Sequence, residues 1–265
     1  MKKFALIGAA LLAVSAVAPA KAADLPVKAV PIAPVWVWTG FYVGGNVGYG
    51  WASSNTDVRF LDNVTGVTLA TQNQKINLDG WLAGIQAGYN WQAGRMVYGI
   101  EADIQATGQK GDAFFSCPAA VCAGGGATPV TASLEQKLPW LGTLRGRIGI
   151  TGSPILFYLT GGLAYGQVKT NGVITGLSIA PALVSTAFST SSTKAGWTVG
   201  AGVEGRITGN WTAKVEYLYV DLGSVSGGPI ATTISPPVRA NFLAGAFNSR
   251  ITDNILRVGL NYNFR

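Results

Sequence analysis

The sequence predicts an all-β fold, an eight-stranded antiparallel up-and-down transmembrane β-barrel. First, the chain is unusually apolar, with a mean hydropathy of +0.31 and only 12% charged residues, yet no apolar run after residue 22 approaches the roughly 20 residues of a membrane helix. Second, segments of period-two alternation recur along the chain. Third, the connections between them alternate between tight turns and long stretches. A soluble β-sandwich is the competing fold.

The N-terminus carries the features of a secretory signal. A basic start at Lys2 and Lys3 is followed by an apolar run over residues 4–18 and a small-x-small ending at Ala22. We therefore expect a cleaved signal peptide over residues 1–22. Residues 23–38 are rich in Pro, Ala and Val and predict an extended periplasmic N-terminal segment, which leaves 39–265 for the barrel.

The first four strand segments cover residues 41–51, 81–92, 96–105 and 138–150. Each sets an apolar face against a polar one, the pattern of a strand between lipid and a barrel lumen. The predicted outer faces are, in order, Phe41, Val43, Val47, Tyr49 and Trp51; Trp81, Ala83, Ile85, Ala87, Tyr89 and Trp91; Met96, Tyr98, Ile100, Ala102 and Ile104; and Leu138, Trp140, Leu144, Ile148 and Ile150.

The last four segments cover residues 155–167, 197–207, 211–219 and 256–264. The fifth is apolar on both sides, so its facing stays open. The other three predicted outer faces are Trp197, Val199, Ala201, Val203 and Ile207; Trp211, Ala213, Val215, Tyr217 and Tyr219; and Leu256, Val258, Leu260, Tyr262 and Phe264.

The connections separate the two ends of the predicted barrel. Gly-containing tight turns join strands 2–3, 4–5 and 6–7, whereas roughly 25 to 30 residues separate the others. Short periplasmic turns and long outer loops are typical of outer-membrane barrels, and a sandwich has no reason to sort its loops this way. We expect long loops over 53–78, 106–133, 168–194 and 221–253, with some strand extending beyond the membrane.

Aromatic residues fall at the ends of the predicted strands, where rings of outer-membrane barrels meet the lipid headgroups. A sandwich core would not place them there. The predicted girdles consist of Phe41, Trp51, Trp81, Trp91, Tyr98, Trp140, Trp197, Trp211, Tyr219, Tyr262 and Phe264.

The polar faces of the strands carry charges of both signs. A carboxylate active site or an ion-selective constriction is one interpretation, and a small gated passage is another. A structural ion-pair network is favoured, because an eight-stranded interior is just wide enough for side chains to fill and unpaired buried ions are costly. The predicted lumen network is Glu101, Asp103, Arg145, Arg147, Glu204, Arg206, Lys214, Glu216 and Arg257.

The composition argues against an enzyme. The chain has no histidine, which removes the commonest general base and the usual zinc and haem ligand. Cys117 and Cys122 predict a disulfide in an exported protein, since a metal site would need further ligands that the neighbourhood does not offer. We expect no catalytic residues, no metal and no cofactor, and no nucleic-acid partner, because no basic cluster with interleaved aromatics occurs.

Four blocks of the sequence are similar to a known family. They are Trp38 to Gly50, Gly142 to Gly149, Thr160 to Gly166 and Leu256 to Tyr262. Together they resemble the porin-family small outer-membrane proteins of α-proteobacteria. The resemblance implies an eight-stranded, outer-membrane-protein-A-like barrel with an envelope or surface role. The chain departs from the family in ending on Arg265 rather than on Phe264.

These observations predict an integral protein of the bacterial outer membrane. Its expected function is non-enzymatic, supporting envelope integrity and presenting a surface. The alternatives are a small-solute porin-like channel and a loop-mediated adhesion or binding protein. Expected partners are outer-membrane lipid, lipopolysaccharide and the barrel-assembly machinery, and the sequence leaves the oligomeric state open.

Overall fold

A computed structural model describes residues 36–62, 66–122, 129–152, 154–177, 183–231 and 243–264. The predicted signal peptide and residues 23–35 lie outside this range. The elements are β1 Gly40–Asp62, β2 Thr68–Ala93, β3 Met96–Cys117, α1 Ala119–Cys122, β4 Val130–Thr151, β5 Ile155–Leu177, β6 Leu183–Thr208, β7 Trp211–Ala231 and β8 Leu243–Phe264. Each strand pairs antiparallel with the next, and β1 pairs with β8 to close the barrel. The predicted eight-stranded barrel is confirmed.

The lower part of the barrel has the surface of a membrane-spanning segment. Outward side chains there are large, apolar and exposed, with Ile85 at 68% and Leu163 at 62% of full exposure. In β1 this part runs from Phe41 to Trp51, about the length that a tilted strand needs to cross a bilayer. Among the described residues, no helix is long and apolar enough to cross a membrane.

Tight turns close the periplasmic end, as the sequence predicts. Gly94 and Gly209 follow β2 and β6 with φ of 62° and 51°. These left-handed conformations suit the two-residue turn between antiparallel strands and are costly for a residue with a Cβ atom. The short hairpins fix the register of the strands that they join.

The strands are much longer than predicted, from 21 to 26 residues. Most of the stretches expected to be long loops are strand, so that prediction was wrong for them. In β1 the paired region with β2 continues to Leu61. The reason is that the two faces exchange character above Trp51: Val58 and Phe60 are buried inside, whereas Asn55 and Arg59 are exposed outside. The change of pattern marks the exit from lipid into water.

The outer girdle is the set of aromatic residues at the extracellular rim of the membrane-spanning part, namely Trp51, Trp81, Trp140, Trp197 and Tyr219. Above it the barrel divides into two four-stranded sheets. The paired region of β2 and β3 ends where Asp79 faces Lys110, and that of β6 and β7 ends where Trp197 faces Asp221. Beyond these points β7, β8, β1 and β2 form one sheet and β3 to β6 the other. The extracellular half therefore has the layered form of a sandwich, built on a barrel.

A large apolar core lies between these two sheets. It joins inward side chains of both, such as Phe60 and Ile251 from one and Leu134 and Ile174 from the other, all at most 4% exposed. Burial of apolar surface stabilises the extracellular half in the way that it stabilises a soluble domain. The interior of the protein thus changes from polar at the membrane to apolar above it.

A β-bulge in β4 corrects one of the predicted faces. The register between β4 and β5 shifts between Lys137 and Trp140, where Pro139 lies. Proline cannot donate a hydrogen bond to the sheet and is found at such bulges. The extra residue reverses the facing of the upper strand, so Leu138, which strict alternation places outside, is buried inside.

Candidate functional site: the barrel lumen

Charged side chains from five strands meet inside the membrane-spanning part of the barrel. Four are acidic and four are basic, and each is at most 5% exposed. They are Glu101 and Asp103 on β3, Arg145 and Arg147 on β4, Glu204 on β6, Lys214 and Glu216 on β7, and Arg257 on β8. Period-two alternation turns all of them inward, and the tilt of the strands brings them to neighbouring heights.

Glu101 lies at the centre of this lumen network. Lys214 Nζ approaches its two carboxylate oxygens at 2.8 and 2.7 Å. Arg145 Nη2 donates a hydrogen bond to Oε1, and the hydroxyl of Tyr42 donates to Oε2 at 2.8 Å. A carboxylate buried among three donors keeps its charge compensated without water.

The two arginines in the middle of the lumen both bridge Asp103 and Glu216. Arg145 donates to Asp103 at 3.0 Å and to Glu216 at 3.0 Å. Arg257 donates through Nε to Glu216 at 2.7 Å and through Nη2 to Asp103 at 3.0 Å. This crossed arrangement ties β3, β4, β7 and β8 together across the barrel.

A second part of the network lies nearer the periplasm. Arg147 Nη2 donates to Glu204 Oε2 at 2.7 Å, and Glu204 also accepts from Thr212 and Asn261 at 2.6 and 2.9 Å. The guanidinium of Arg147 stacks over the ring of Tyr158 at 4.2 Å. In this part of the network too, Arg147 and Glu204 compensate each other's charge, and most of their remaining hydrogen-bonding groups have partners.

Arg206 lies outside the lumen network, contrary to the prediction. It is exposed near the end of β6, and its guanidinium stacks over the ring of Trp36 at 4.7 Å. The register of β6 and β7 shifts between Arg206 and Thr208, next to the turn, so alternation no longer fixes the facing. Without Arg206 the network has equal numbers of positive and negative charges.

Two tyrosines join the network that sequence reasoning did not assign to it. Tyr42 donates to Glu101 and accepts from Arg147 at 3.0 Å. Tyr158 donates to Glu216 Oε1 at 3.0 Å. Tyr42 could have been assigned from the sequence, because alternation places it on the inward face of the first strand. Tyr158 could not, because the fifth segment is apolar on both faces and its facing stayed open.

Apolar layers cover the network on both sides. On the periplasmic side Trp36 and Trp38 pack with Val97, Leu156 and Tyr158, and the Trp38 indole donates to Thr151 Oγ1 at 2.8 Å. On the extracellular side lies the core between the two sheets. Residues 36–38, predicted to be periplasmic, thus form part of the filling, which also explains the apolar inner face of β5.

The remaining predicted site residues are the two cysteines, which are buried in the apolar core, and the aromatic girdles on the outer surface. Cys117 and Cys122 form a disulfide between the end of β3 and α1, with Cα atoms 5.9 Å apart. The aromatic residues of the predicted girdles are exposed or half-exposed on the outer face. Several contact one another at the rims, such as Phe41 with Phe264 at 5.6 Å and Trp197 with Tyr219 at 5.5 Å.

The lumen offers no arrangement that would do chemistry on a substrate. Each carboxylate is engaged by cations or other donors, and no group of histidine, cysteine or acidic residues within the described ranges could hold a metal ion. The arrangement cross-links the barrel wall from the inside.

The chain is similar to known proteins over nearly its whole length. Residues 7–264 match the family described as outer membrane protein beta-barrel domain. A 31 kDa outer-membrane immunogenic protein of Brucella melitensis is 35% identical over 97% of this chain and 96% of its own length. A 22 kDa outer membrane protein of Rhizobium leguminosarum bv. viciae is 30% identical over 88% of this chain and 82% of its own.

Solved structures are similar at lower identity. The outer membrane protein OprG from Pseudomonas aeruginosa is 14% identical, with a TM-score of 0.41 over 85% of this chain and 97% of that one. Neisserial surface protein A is 15% identical, with a TM-score of 0.38 over 85% of this chain and 98% of that one.

Proposed function

The chain belongs to the outer membrane protein beta-barrel domain family, and from this premise we propose that it is a closed, non-enzymatic structural protein of the bacterial outer membrane. Its function is to strengthen the envelope and to present a folded surface to the exterior. The observation that carries this proposal is the filled lumen. Eight paired charges lie between two apolar layers, inside a barrel that crosses the membrane.

Physical chemistry favours closure over conduction. An ion that entered the lumen would have to break contacts such as those of Arg145 and Arg257 with Glu216, and uncompensated charges away from water are costly. It would then meet the mainly apolar core between the two sheets, whose few polar side chains, such as Thr56 and Gln136, are hydrogen-bonded to Ser249. Opening a passage would require rearranging both layers together.

The extracellular half supports the second part of the proposal. Roughly half of each strand extends beyond the outer girdle, and most of its outward side chains are polar, including the exposed Asn55, Arg59 and Lys75. Two relatives carry the description immunogenic. A rigid two-sheet structure held by an apolar core is suited to display such a surface.

The envelope role is tested in a strain that lacks this chain. We expect increased sensitivity to detergent and to large antibiotics that the outer membrane excludes, with normal uptake of small nutrients. The wild-type chain should restore resistance. Unchanged resistance together with slower uptake of a small solute would contradict the proposal and favour a channel.

A further inference from the structure

Three lysines lie side by side on the outer surface of the barrel, just above the membrane. Lys110 on β3 faces Lys137 on β4, and Lys137 faces Lys169 on β5. Directly opposed side chains on neighbouring strands have Cβ atoms about 5 Å apart, and like charges at that distance destabilise a sheet. This lysine row is therefore costly unless something negative binds to it.

The bulge at Pro139 is what completes the lysine row. Below the bulge the odd-numbered residues of β4 face the lumen, as Arg145 and Arg147 do; above it Lys137 faces outward. Local hydrogen bonds hold the irregular backbone: Thr107 donates its hydroxyl to the Leu138 carbonyl, and the Gln109 N–H donates to Thr107 Oγ1 at 3.2 Å. Bulges that redirect a side chain are common beside binding sites.

The height of the lysine row matches the lipid headgroups. Lys137 lies three residues from Trp140 and Lys169 four residues from Tyr165, and the two rings contact each other at 6.0 Å in the outer girdle. At about 3.3 Å per residue and a tilt of about 40°, the lysines lie about 8–10 Å above the girdle. Aromatic girdles mark the headgroup level, so the lysine row faces the outermost part of the outer leaflet.

Carboxylates near the row compensate only part of its charge. Lys137 pairs with Glu135 at 2.9 Å, and of the described residues no carboxylate lies within ion-pair distance of Lys110 or Lys169. Asp79 faces Lys110 across the strands without forming an ion pair. Asp112 faces Glu135 one outward row farther from the membrane. Apart from Asp79, which lies at the height of the row, the negative charges thus lie farther from the lipid than the lysines.

We propose that the lysine row of Lys110, Lys137 and Lys169 is a binding site for the phosphate groups of lipopolysaccharide. Lysine ammonium groups bind phosphate as point charges with several donors each. Below the row, Leu144 and Leu163 are 52% and 62% exposed on the same strands. A ligand with phosphates at its head and acyl chains beneath fits both surfaces, which free phosphate does not. This inference rests on the outer-membrane placement of the proposed function.

The test measures binding of purified lipopolysaccharide with a phosphorylated lipid A to the refolded full chain in detergent micelles. The variant K110Q/K137Q/K169Q should bind at least about tenfold more weakly than the wild type. The control R59Q/K75Q/R95Q removes the same charge from exposed positions elsewhere and should bind like the wild type. Equal binding by the wild type and the lysine-row variant would overturn the proposal.

Two further arms identify the source of the phosphate. Dephosphorylated lipopolysaccharide should bind to the wild type about as weakly as intact lipopolysaccharide binds to the lysine-row variant; full-strength binding would overturn the proposal. Millimolar inorganic phosphate should not displace the lipid, and displacement would make this a site for free anions instead.

Folding of each variant is verified by heat-dependent gel mobility. If the triple variant does not fold, K169Q alone should still weaken binding, and unchanged binding by that variant would overturn the proposal. A negative result in these binding experiments would not affect the proposed envelope role, because that role is tested separately by the detergent and antibiotic sensitivity of the deletion strain.

Discussion

At the scale of single residues, the interior is stabilised by compensation of charge. Glu101 contacts cations from β4, β7 and β8 and is 2% exposed. Breaking a buried pair by removing one partner is far more costly than never burying it, because the other charge stays behind. The residues of the lumen network are therefore expected to be individually sensitive to substitution.

Glu101→Gln should destabilise the barrel by about 3–5 kcal/mol, since Lys214 and Arg145 lose their shared partner. Urea unfolding in lipid vesicles measures the change. The control Glu135→Gln removes a carboxylate of an exposed ion pair and should leave the unfolding midpoint unchanged. Equal stability of wild type and Glu101→Gln would show that the network contributes nothing.

The outward face can be tested with a charge in the lipid. Leu144 is 52% exposed on the outer face of β4, between Trp140 and Ile150. Leu144→Arg should cost about 2–4 kcal/mol of folding free energy in a bilayer if it lies near the midplane. Asn55→Arg, outside and above the girdle, should insert as the wild type does. Equal insertion of both variants would refute the assigned facing of β4.

Asp253 gives the protein a dependence on pH. It faces inward just above the outer girdle, since its neighbour in β1 is Ala52, the residue after Trp51. Burial raises the pKa of Asp253 to about 7, and the hydrogen bond from Gln109 at 2.8 Å only partly opposes this shift. Between about pH 4 and pH 7, the native state therefore keeps a proton on Asp253 that the unfolded chain has lost.

The sign of this effect follows from proton linkage. Because the folded pKa of about 7 exceeds the ordinary value of 3.8, the contribution of Asp253 to stability falls as pH rises from about 4 to 7. Asp253→Asn should therefore be more stable than the wild type at pH 8, with the advantage shrinking toward pH 5. Unfolding midpoints at the two pH values test this, and a constant difference would contradict it.

At the scale of elements, alternation predicted the lower strands well and the upper strands poorly. From Phe41 to Trp51 the partners are lipid outside and polar groups inside, which a period-two pattern reveals. Above Trp51 both partners change, and Val58 and Phe60 face inward. A prediction that requires apolar residues on the outward face therefore ends the strand at Trp51. Only contacts with other strands show that the pairing continues.

Alternation also fails at bulges and register shifts, for a different reason. The bulge at Pro139 accommodates one extra residue, so the residues of β4 that precede it face opposite to what strict alternation from Trp140 predicts. The sequence shows the proline but not whether the strand ends, bends or bulges there. Leu138 and Arg206, each beside a register shift, are the two residues whose predicted facing was wrong.

Deleting Pro139 should remove the bulge and keep the facing of the upper half of β4, since Leu138 would then precede Trp140 in regular alternation. Deleting Gln136 instead should reverse the residues above it, turning Leu134 outward and Glu135 inward against the apolar core. We expect the first variant to keep, and the second to lose, the heat-resistant compact form that folded barrels show on gels. The opposite outcome would show that the bulge does not absorb one extra residue of β4.

At the scale of the whole molecule, the protein joins two architectures in one set of strands. Its lower half is an outer-membrane barrel with a polar, charge-balanced interior. Its upper half is a pair of sheets around an apolar core, which begins where two of the paired regions end, at Lys110 and at Asp221. The sequence predicted the barrel, its family and its location in the outer membrane, all of which are confirmed.

The central claim is that this lumen is closed, and single-channel conductance of the refolded protein in a planar bilayer tests it most directly. Folding of the refolded protein is verified beforehand by heat-dependent gel mobility. The filled interior predicts steady silence, with at most rare and small events. Stable openings whose ion selectivity changes in Glu101→Gln or Arg145→Gln would contradict the account, because the charges would then line a pore.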